Sequence, residues 1–523
     1  MALIQQLSAS NAWQVLTLQN VLLVLFLLLL LSVAYQVVYN RFFHPLSKFP
    51  GPYWASVTRL YTVYHSIVGD AHLNEYEAVK KYGPVVRMSP SLLLIRDATM
   101  LPEVYHRYAN RSPFYLKNML GKGESILTTR DWRQHAQLRR VAGGAYAFSN
   151  IKKMEPIFDA NISRWTKKMH TDFAVTGREF DFAPWAAYMT NDVLSDVGFG
   201  GSFGFVSQGK DIENLITDFR AGLTPFGIMS SLYPLTNWLR STRIGERFLI
   251  ASPNDSGGWG RVMHFRDQLI AARRRDMAAS KPRAQTDLLQ IFLDARDDAG
   301  NPLAEEQIKA DLLLILLAGA DTTGTAICSI LDFLTSSPAI YAKLVAEIAQ
   351  AEQLHAGFAA EVPSFDEVTT KCPYFVACVK ESLRLRPSAP SIFPRVTREG
   401  GLMVGDIHIP AGTEVSCQAW ISNRDPEVYG ADADTYKPER WLEGEEKTRV
   451  YERYLQTFGY NTRSCLGKDI ALMELYKGLL QFFRMFDVEK IRSHGPPEFR
   501  NMGGVMVWSN IWLKISPRHT VQL

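Results

Sequence analysis

Residues 458–467 read FGYNTRSCLG and lead into an apolar helical pattern that begins near Lys468, which puts Cys465 at a helix start. Free backbone N–H groups and the positive end of a helix dipole favour a thiolate there, and Arg463 adds positive charge two residues away. A thiolate held in this way can ligate haem iron from one side, with N–H donors tuning its electron donation. The alternative for any single cysteine is a buried structural thiol. The remaining cysteines, Cys328, Cys372, Cys378 and Cys417, make an odd total of five at irregular spacing, without the paired CxxC units of a structural zinc site. Such a set suits a reducing compartment rather than a disulfide framework.

Two other clusters invite chemistry. In residues 318–323, AGADTT, Ala318 and Thr322 are four apart on one helical face, and the small residues leave room beside the helix for a flat ring system and a diatomic ligand. Gly and Thr each weaken a helix interior by about 0.5–1 kcal/mol, so their presence hints at a site. Asp321 beside Thr322 could relay protons to dioxygen, because a hydroxyl both donates and accepts. The segment could equally be a helix cap or a satisfied polar pair. Glu381 and Arg384, three apart in KESLRLRP, can pair on one helix face, and Arg440 in PERW could complete a buried Glu–Arg–Arg network.

These residues must be carried by a large, mostly helical body. The chain has 523 residues, with 57 Lys+Arg, 53 Asp+Glu and 47% hydrophobic residues. That composition folds, and it lacks the basic excess of a nucleic-acid binder. No repeat or low-complexity linker divides it. Residues 1–40 contain no charged side chain, and 21–39 are nearly unbroken apolar, long enough for a transmembrane helix. Arg41, His44 and Lys48 follow, so the positive-inside rule places the rest of the chain on the cytosolic side. Residues 41–52 form a basic, proline-rich hinge in which Pro45, Pro50 and Pro52 forbid helix. The catalytic unit is then 53–523, mainly α with small β sheets. Within it, 85–97 reads as a hairpin at a sheet edge, 307–337 as one long apolar helix and 468–486 as another, with strand signals returning at 401–409 and near the C-terminus. The glycines of VGFGGSFGF, 197–205, do not follow a strand in dinucleotide-binding spacing.

In chain order AGADTT, ESLR, PERW and FGYNTRSCLG resemble the cytochrome P450 family, and with the anchor, hinge and hairpin the resemblance covers essentially the whole chain. It implies a cytochrome P450 fold behind one N-terminal transmembrane helix. It makes Cys465 the proximal ligand of haem b, Phe458 the aromatic packed near it, and Arg463 a propionate partner. Glu381, Arg384 and Arg440 become the structural triad, and Asp321 with Thr322 the acid–alcohol pair. His135 and Arg139 match the aromatic-x-x-x-Arg helix that reaches the propionates, His135 taking the aromatic place because Trp132 is seven residues from Arg139. Arg395 in FPRVTREG matches a further propionate donor. The family loop has Gly where this chain has Asn461, the non-Gly residue that best tolerates left-handed backbone.

The implied activity is that of a monooxygenase inserting one oxygen atom of O2 into a small lipophilic substrate. The loop wording and the HAQLRR helix are similar to fungal microsomal members of secondary metabolism, which sit in the endoplasmic reticulum membrane. Electrons would come from NADPH through a separate NADPH-cytochrome P450 reductase, with cytochrome b5 as a second donor. Arg133, Arg140 and Lys468 would steer that acidic partner. The rivals are an O2-independent haem-thiolate isomerase or dehydratase and a non-catalytic membrane haem-binding protein. Segments 115–126, 219–235 and 388–393 are the expected substrate-pocket walls.

Overall fold

The computed structural model describes residues 18–117, 119–121, 123–281, 287–297 and 300–518. Residues 1–17 of the N-terminal segment, and Asn118 and Lys122 of the expected pocket segment 115–126, lie outside the described residues. Helix α1, Leu18–Val38, passes into a π-helical turn at Tyr39–Phe43. The stretch Gln19–Phe43 is long and apolar enough to cross a membrane, and its most apolar window is not buried against the rest of the chain. Glu305–Thr335 meets the same length and polarity criteria, but 72% of it is buried, so it is a core element.

The proline segment after α1 is not a free tether. Arg87 donates to Asn40 O and Pro90 O, each at 2.7 Å, and its N–H bonds Pro50 O at 2.8 Å. A Cβ on Gly51 would lie 2.3 Å from Arg87 O, so only glycine permits this approach. The chain then forms α2, Leu60–Val68. Strands β1, Val85–Arg87, and β2, Leu92–Ile95, pair antiparallel with Val85 opposite Ile95, forming the hairpin expected from the two β-rich runs around Ser89-Pro90.

Eight of the body's helices surround the site. They are α3 (Trp132–Gly143), α4 (Glu155–Met169), α5 (Phe182–Phe199), α6 (Leu215–Ser231), α7 (Tyr233–Arg240), α8 (Gly258–Ala278), α9 (Glu305–Ala318) and α10 (Asp321–Thr335). Helices α11, Pro373–Leu385, and α12, Lys468–Met485, complete the set used here. Local chemistry fixes several ends. Asp131 caps α3 by accepting from Arg133 N and Gln134 N, Asp181 caps α5 through Ala183 N, and Gly200 closes α5 in a left-handed conformation. The main core lies where α4, α5, α10, α11 and α12 meet, with Trp165, Phe182, Ile327, Phe375 and Phe482 among its buried side chains.

The β structure is minor. Strand β3 is Phe180–Asp181, β4 Arg395–Val396, β5 Leu402–Val404, β6 Ile407–Ile409, β7 Glu414–Ser416, β8 Phe486–Lys490, β9 Glu498–Met502, β10 Val505–Ser509 and β11 Trp512–Pro517. The largest sheet has the order β1-β2-β7-β4, with β2 and β7 parallel. The chain is therefore mainly α with small sheets behind an apolar N-terminal helix.

One expectation fails. The single helix read over 307–337 is two, because Gly319 and Ala320 interrupt it between α9 and α10.

The Glu381 network is fully buried. Arg384 grips Glu381 with Nε to Oε2 and Nη2 to Oε1, both at 2.8 Å, and Arg440 Nε reaches Oε1 at 3.4 Å. Trp441 Nε1 and Lys437 N donate to the same carboxylate at 3.0 and 3.1 Å. Arg384 also bonds Asn423 O and Ala433 O, so the network locks α11 to the chain on either side of residues 423–441. Removing one partner of such a network strands a buried charge. Glu381→Leu should therefore lower the unfolding free energy of the haem-loaded protein by about 3–5 kcal/mol in denaturant titration, whereas Glu443→Leu on the surface should leave it nearly unchanged.

Candidate active site

The loop before α12 is shaped by its own backbone. Cys465 N–H donates to Phe458 O at 2.7 Å, closing residues 458–465 on themselves, and Ser464 N–H bonds Asn461 O at 3.0 Å. Asn461 has φ +56°, the left-handed conformation for which the sequence reading chose Asn as a tolerated residue. Phe458 is half-buried against the main core.

Two details of the sulfur differ from expectation. Helix α12 starts at Lys468 with Gly467 as its cap, so Cys465 stands two residues outside the helix. The positive neighbours of the sulfur are Arg139 and Lys468 rather than Arg463. Arg139 reaches the loop through Ser464 O at 2.6 Å, while Arg463 turns away to Thr129 O at 2.9 Å and Arg130 O at 3.2 Å. Desolvation pushes the free thiol up, and the Gly467 N–H, Arg139 and Lys468 act against it. The protein environment acts on the thiolate in both directions, and a bound metal cation would complete it, since a coordinating thiol is deprotonated outright. Cys465 is nevertheless the exposed cysteine of the five, the other four being buried.

The chain near Cys465 is crowded with cations: Arg139 acts on its sulfur, and Arg139, Arg111, Arg395 and Arg463 all act on His135. Arg111 and Arg395 form a β-bridge with each other, and Arg395 donates to Phe393 O at 2.8 Å. Arg111 donates to Ile126 O at 3.0 Å, yet its Nε is buried without a partner, as is the hydroxyl of the neighbouring Tyr115. Burial, followed by Arg111 and Arg395, takes the Arg463 guanidinium down to about 8. Burial and then Arg463, Arg111, Arg139 and Arg395 drive the His135 imidazole down to about 2. Mutually repelling cations with orphaned donors need an anion. Together with an open thiol, this donor set fits a haem whose propionates these residues would hold.

Across the helical layer, the break between α9 and α10 sets the second group. A Cβ on Gly319 would meet Leu194 Cδ1 of α5 at 2.5 Å and Ile315 O at 2.9 Å, so the glycine serves helix–helix approach. The sequence reading had given that smallness wholly to ligand space. Thr322 Oγ1 donates to Ala318 O at 3.0 Å, and Ser388 Oγ donates to Thr322 O at 2.7 Å. Asp321 is not a free relay acid. Arg220 on α6 clasps its carboxylate with Nε to Oδ2 at 3.0 Å and Nη2 to Oδ1 at 2.6 Å. Asp321 also borders a small pocket, shared with Asn191, Leu215, Phe219 and Leu316.

The fold thus brings His135, Arg139, Arg395 and Arg463 to one region with Cys465, and keeps Asp321 with Thr322 on another element. Glu381, Arg384 and Arg440 stay together as a separate buried network. Of the expected basic docking face, Arg133 stacks on Trp132, and Lys468 lies beside the Phe458 ring. Sequence reasoning missed Arg111, and it placed Arg220 and Ser388 only within the expected wall segments 219–235 and 388–393, without a role. A basic residue next to an expected pocket segment pointed to Arg111, whereas nothing in the local pattern singled out Arg220.

Fold and site define a mainly helical protein built around cysteine-ligated haem. The model of the family described as Cytochrome P450 matches residues 50–514, and the chain belongs to that family. It is 36% identical over 519 residues to quiannulatic acid synthase of Emericella variicolor, covering 98% of each chain. It is 31% identical over 459 residues to the cytochrome P450 monooxygenase gsfF of Penicillium aethiopicum, covering 86% of this chain and 89% of that one. A third relative, the cytochrome P450 monooxygenase cicH of Emericella nidulans, is 31% identical over 446 residues, with coverage of 83% and 86%. The chain is accordingly a haem-containing oxidoreductase of the monooxygenase type, using O2, a lipophilic substrate and a redox partner.

Backbone strain at Asn461 can be measured. Asn461→Gly should be neutral or slightly stabilising, because Gly removes a Cβ clash. Asn461→Val places a β-branched residue at positive φ and should cost about 1–3 kcal/mol with partial loss of haem. Haem retention and thermal melting of both variants provide the check, and equal tolerance of Gly and Val would refute the strain argument.

Proposed function

We propose that the enzyme inserts one oxygen atom of O2 into a small lipophilic substrate of secondary-metabolite biosynthesis, drawing electrons from NADPH through a separate NADPH-cytochrome P450 reductase. Cytochrome b5 serves as a second electron donor. Haem, when bound, supplies the one-electron and dioxygen chemistry. The observation that carries the reading is the break between α9 and α10, after which α10 begins with Asp321, at the edge of a pocket, followed by Thr322.

Each residue then has a task. Cys465 ligates the iron, Phe458 packs beside the ligand loop, and Arg139 with Lys468 offsets the sulfur's charge. Arg395, Arg463 and His135 hold the propionates, a task in which Arg111 joins them. Thr322 passes protons toward the haem face. Asp321 feeds Thr322 when Arg220 lets go of it, so Arg220 sets when the acid is free. The Glu381, Arg384 and Arg440 triad keeps the ligand loop in place.

Residues 53–523 act as one catalytic unit, with 41–52 as the hinge. The apolar N-terminal helix anchors it in the endoplasmic reticulum membrane, and Arg41 and Lys48 favour a cytosolic catalytic domain. Segments 219–235 and 388–393 line the substrate space, through Phe219 on one cavity and Ile392 on another recess. The relative named for an acid product is consistent with oxidation of a hydrocarbon-rich molecule. An O2-independent isomerase or dehydratase needs no proton relay, and a non-catalytic haem carrier leaves Asp321 and Thr322 without purpose. Turnover dependent on NADPH, O2 and added reductase distinguishes the three.

Cys465→Ser should abolish the thiolate-type spectrum of the reduced carbon monoxide complex, since serine offers no anionic sulfur. Retention of that spectrum would remove Cys465 from the ligand role. Thr322→Ala should keep the spectrum yet divert NADPH to hydrogen peroxide, raising peroxide per NADPH consumed toward its ceiling of one. Unchanged coupling of NADPH consumption to product would withdraw the proton-delivery role.

A further inference from the structure

A second recess lies away from Asp321, between α2, the β1-β2-β7-β4 sheet and the junction of α6 with α7. Arg59, Ser89, Glu414, Phe114, Ile392 and Pro394 line it, and its volume with the open mouth is about 260 Å³. Three of the segments it joins belong to or adjoin the expected substrate walls: Phe114 precedes 115–126, Ser231 ends α6 within 219–235, and Ile392 lies in 388–393.

The polar groups of this recess are only half used. Arg59 is spent on its neighbours, reaching Ser231 O at 3.3 Å, Ser91 Oγ at 2.5 Å, Tyr233 OH at 3.0 Å and Glu414 Oε2 at 3.2 Å. Ser91 Oγ also donates to Glu414 Oε2. Glu414 Oε1 and Ser89 Oγ, on residues 5% and 2% exposed, have no partner. Buried orphaned polar atoms in a cavity wall call for a ligand group that pairs with them. The carboxylate oxygen can only accept and the serine hydroxyl can do either, so the matching group is a donor that also accepts.

We infer that this recess is a substrate subsite for the hydroxyl group of a lipophilic alcohol, with Glu414 Oε1 accepting from that hydroxyl and Ser89 Oγ bonding its oxygen. A ligand carboxylate is excluded, because it would meet Glu414 with no free guanidinium to offset it. An ammonium would have to shed its hydration among Leu92, Phe114, Ile392 and Pro394, beside Arg59. The position suits the far end of a molecule being oxidised elsewhere. In the sheet, Glu414 stands opposite Val396, the neighbour of Arg395 on the cationic wall. The same stretch of chain begins at Ser388, bonded to Thr322, and reaches Pro394 at the recess. Six residues span at most roughly 20 Å, which sets an upper limit to the reach of a substrate bound at both ends.

This inference rests on the monooxygenase reading and names the substrate class for it. The test uses the full-length, haem-loaded protein in detergent with two matched pairs: farnesol against farnesene, and 5α-androstan-3β-ol against 5α-androstane. Binding is read both by the ligand-induced change in haem absorbance and by thermal shift. The alcohols should bind about tenfold more tightly than their hydrocarbons, the equivalent of one well-made hydrogen bond to a charged acceptor. Ser89→Ala and Glu414→Gln should each cut that preference by about threefold or more while leaving hydrocarbon binding unchanged. Ser89→Ala removes a hydroxyl that has no partner, so its fold is undisturbed even if Glu414→Gln loosens Arg59. An absence of alcohol preference in the parent protein, including no response to either alcohol, overturns the subsite and leaves the recess to water. A preference that survives both substitutions overturns it as well. Either result with an intact thiolate spectrum and NADPH-driven oxidation leaves the monooxygenase reading standing, whereas loss of those two would strike the reading itself.

Discussion

Cys465 has to be desolvated and open at once, and most of the fold can be traced to those opposed demands. Desolvation disfavours a free thiolate, so the sulfur's charge depends on the cation it ligates. Openness requires that no side chain close over it, and a loop stiff enough not to collapse. The bond from Cys465 N–H to Phe458 O and the left-handed Asn461 supply that stiffness from the backbone itself. The loop is held from outside by Arg139 on Ser464 O and Arg463 on the carbonyls of Thr129 and Arg130.

Charge is distributed by the same logic. The cationic wall of Arg111, Arg395 and Arg463, beside a His135 held neutral, is costly in the bare protein, because burial and mutual repulsion act together on it. A dianionic cofactor relieves both, so haem binding contributes to folding stability as any ligand of the native state does. The Glu381 network is the opposite case. It closes its own charge with Arg384 and Arg440 and needs nothing further, which suits a brace rather than a binding surface.

On the far side, the interruption at Gly319–Ala320 ties catalysis to helix packing. The close approach of Gly319 to Leu194 binds α9 and α10 to α5, while the clasp of Arg220 on Asp321 binds α10 to α6. Movement of α6, which also supplies Phe219 and Ser231 to the two cavities, would therefore alter substrate space and the acid together. Under the proposed roles, substrate binding and proton supply would share one mechanical element.

The sequence alone determined the class of chemistry, because that chemistry rests on short spacings: a cysteine in a turn-rich loop, small residues beside Asp321-Thr322, and Glu and Arg three apart. It also determined the apolar N-terminal helix and the β1–β2 hairpin, whose signals are local periodicities of composition. What it did not contain was the identity of partners distant along the chain. Arg220 meets Asp321 across 101 residues, Arg463 meets Thr129 across 334, and Arg59 meets Glu414 across 355. A guanidinium reads the same in sequence whichever carboxylate or carbonyl it finds. The break in the long helix was hidden for a related reason: Gly319 is tolerable in a helix by propensity, and only the tertiary structure shows that a Cβ there would press on Leu194 and on Ile315 O. Local propensity fixed the pieces, and desolvation in the packed interior decided which charges had to meet.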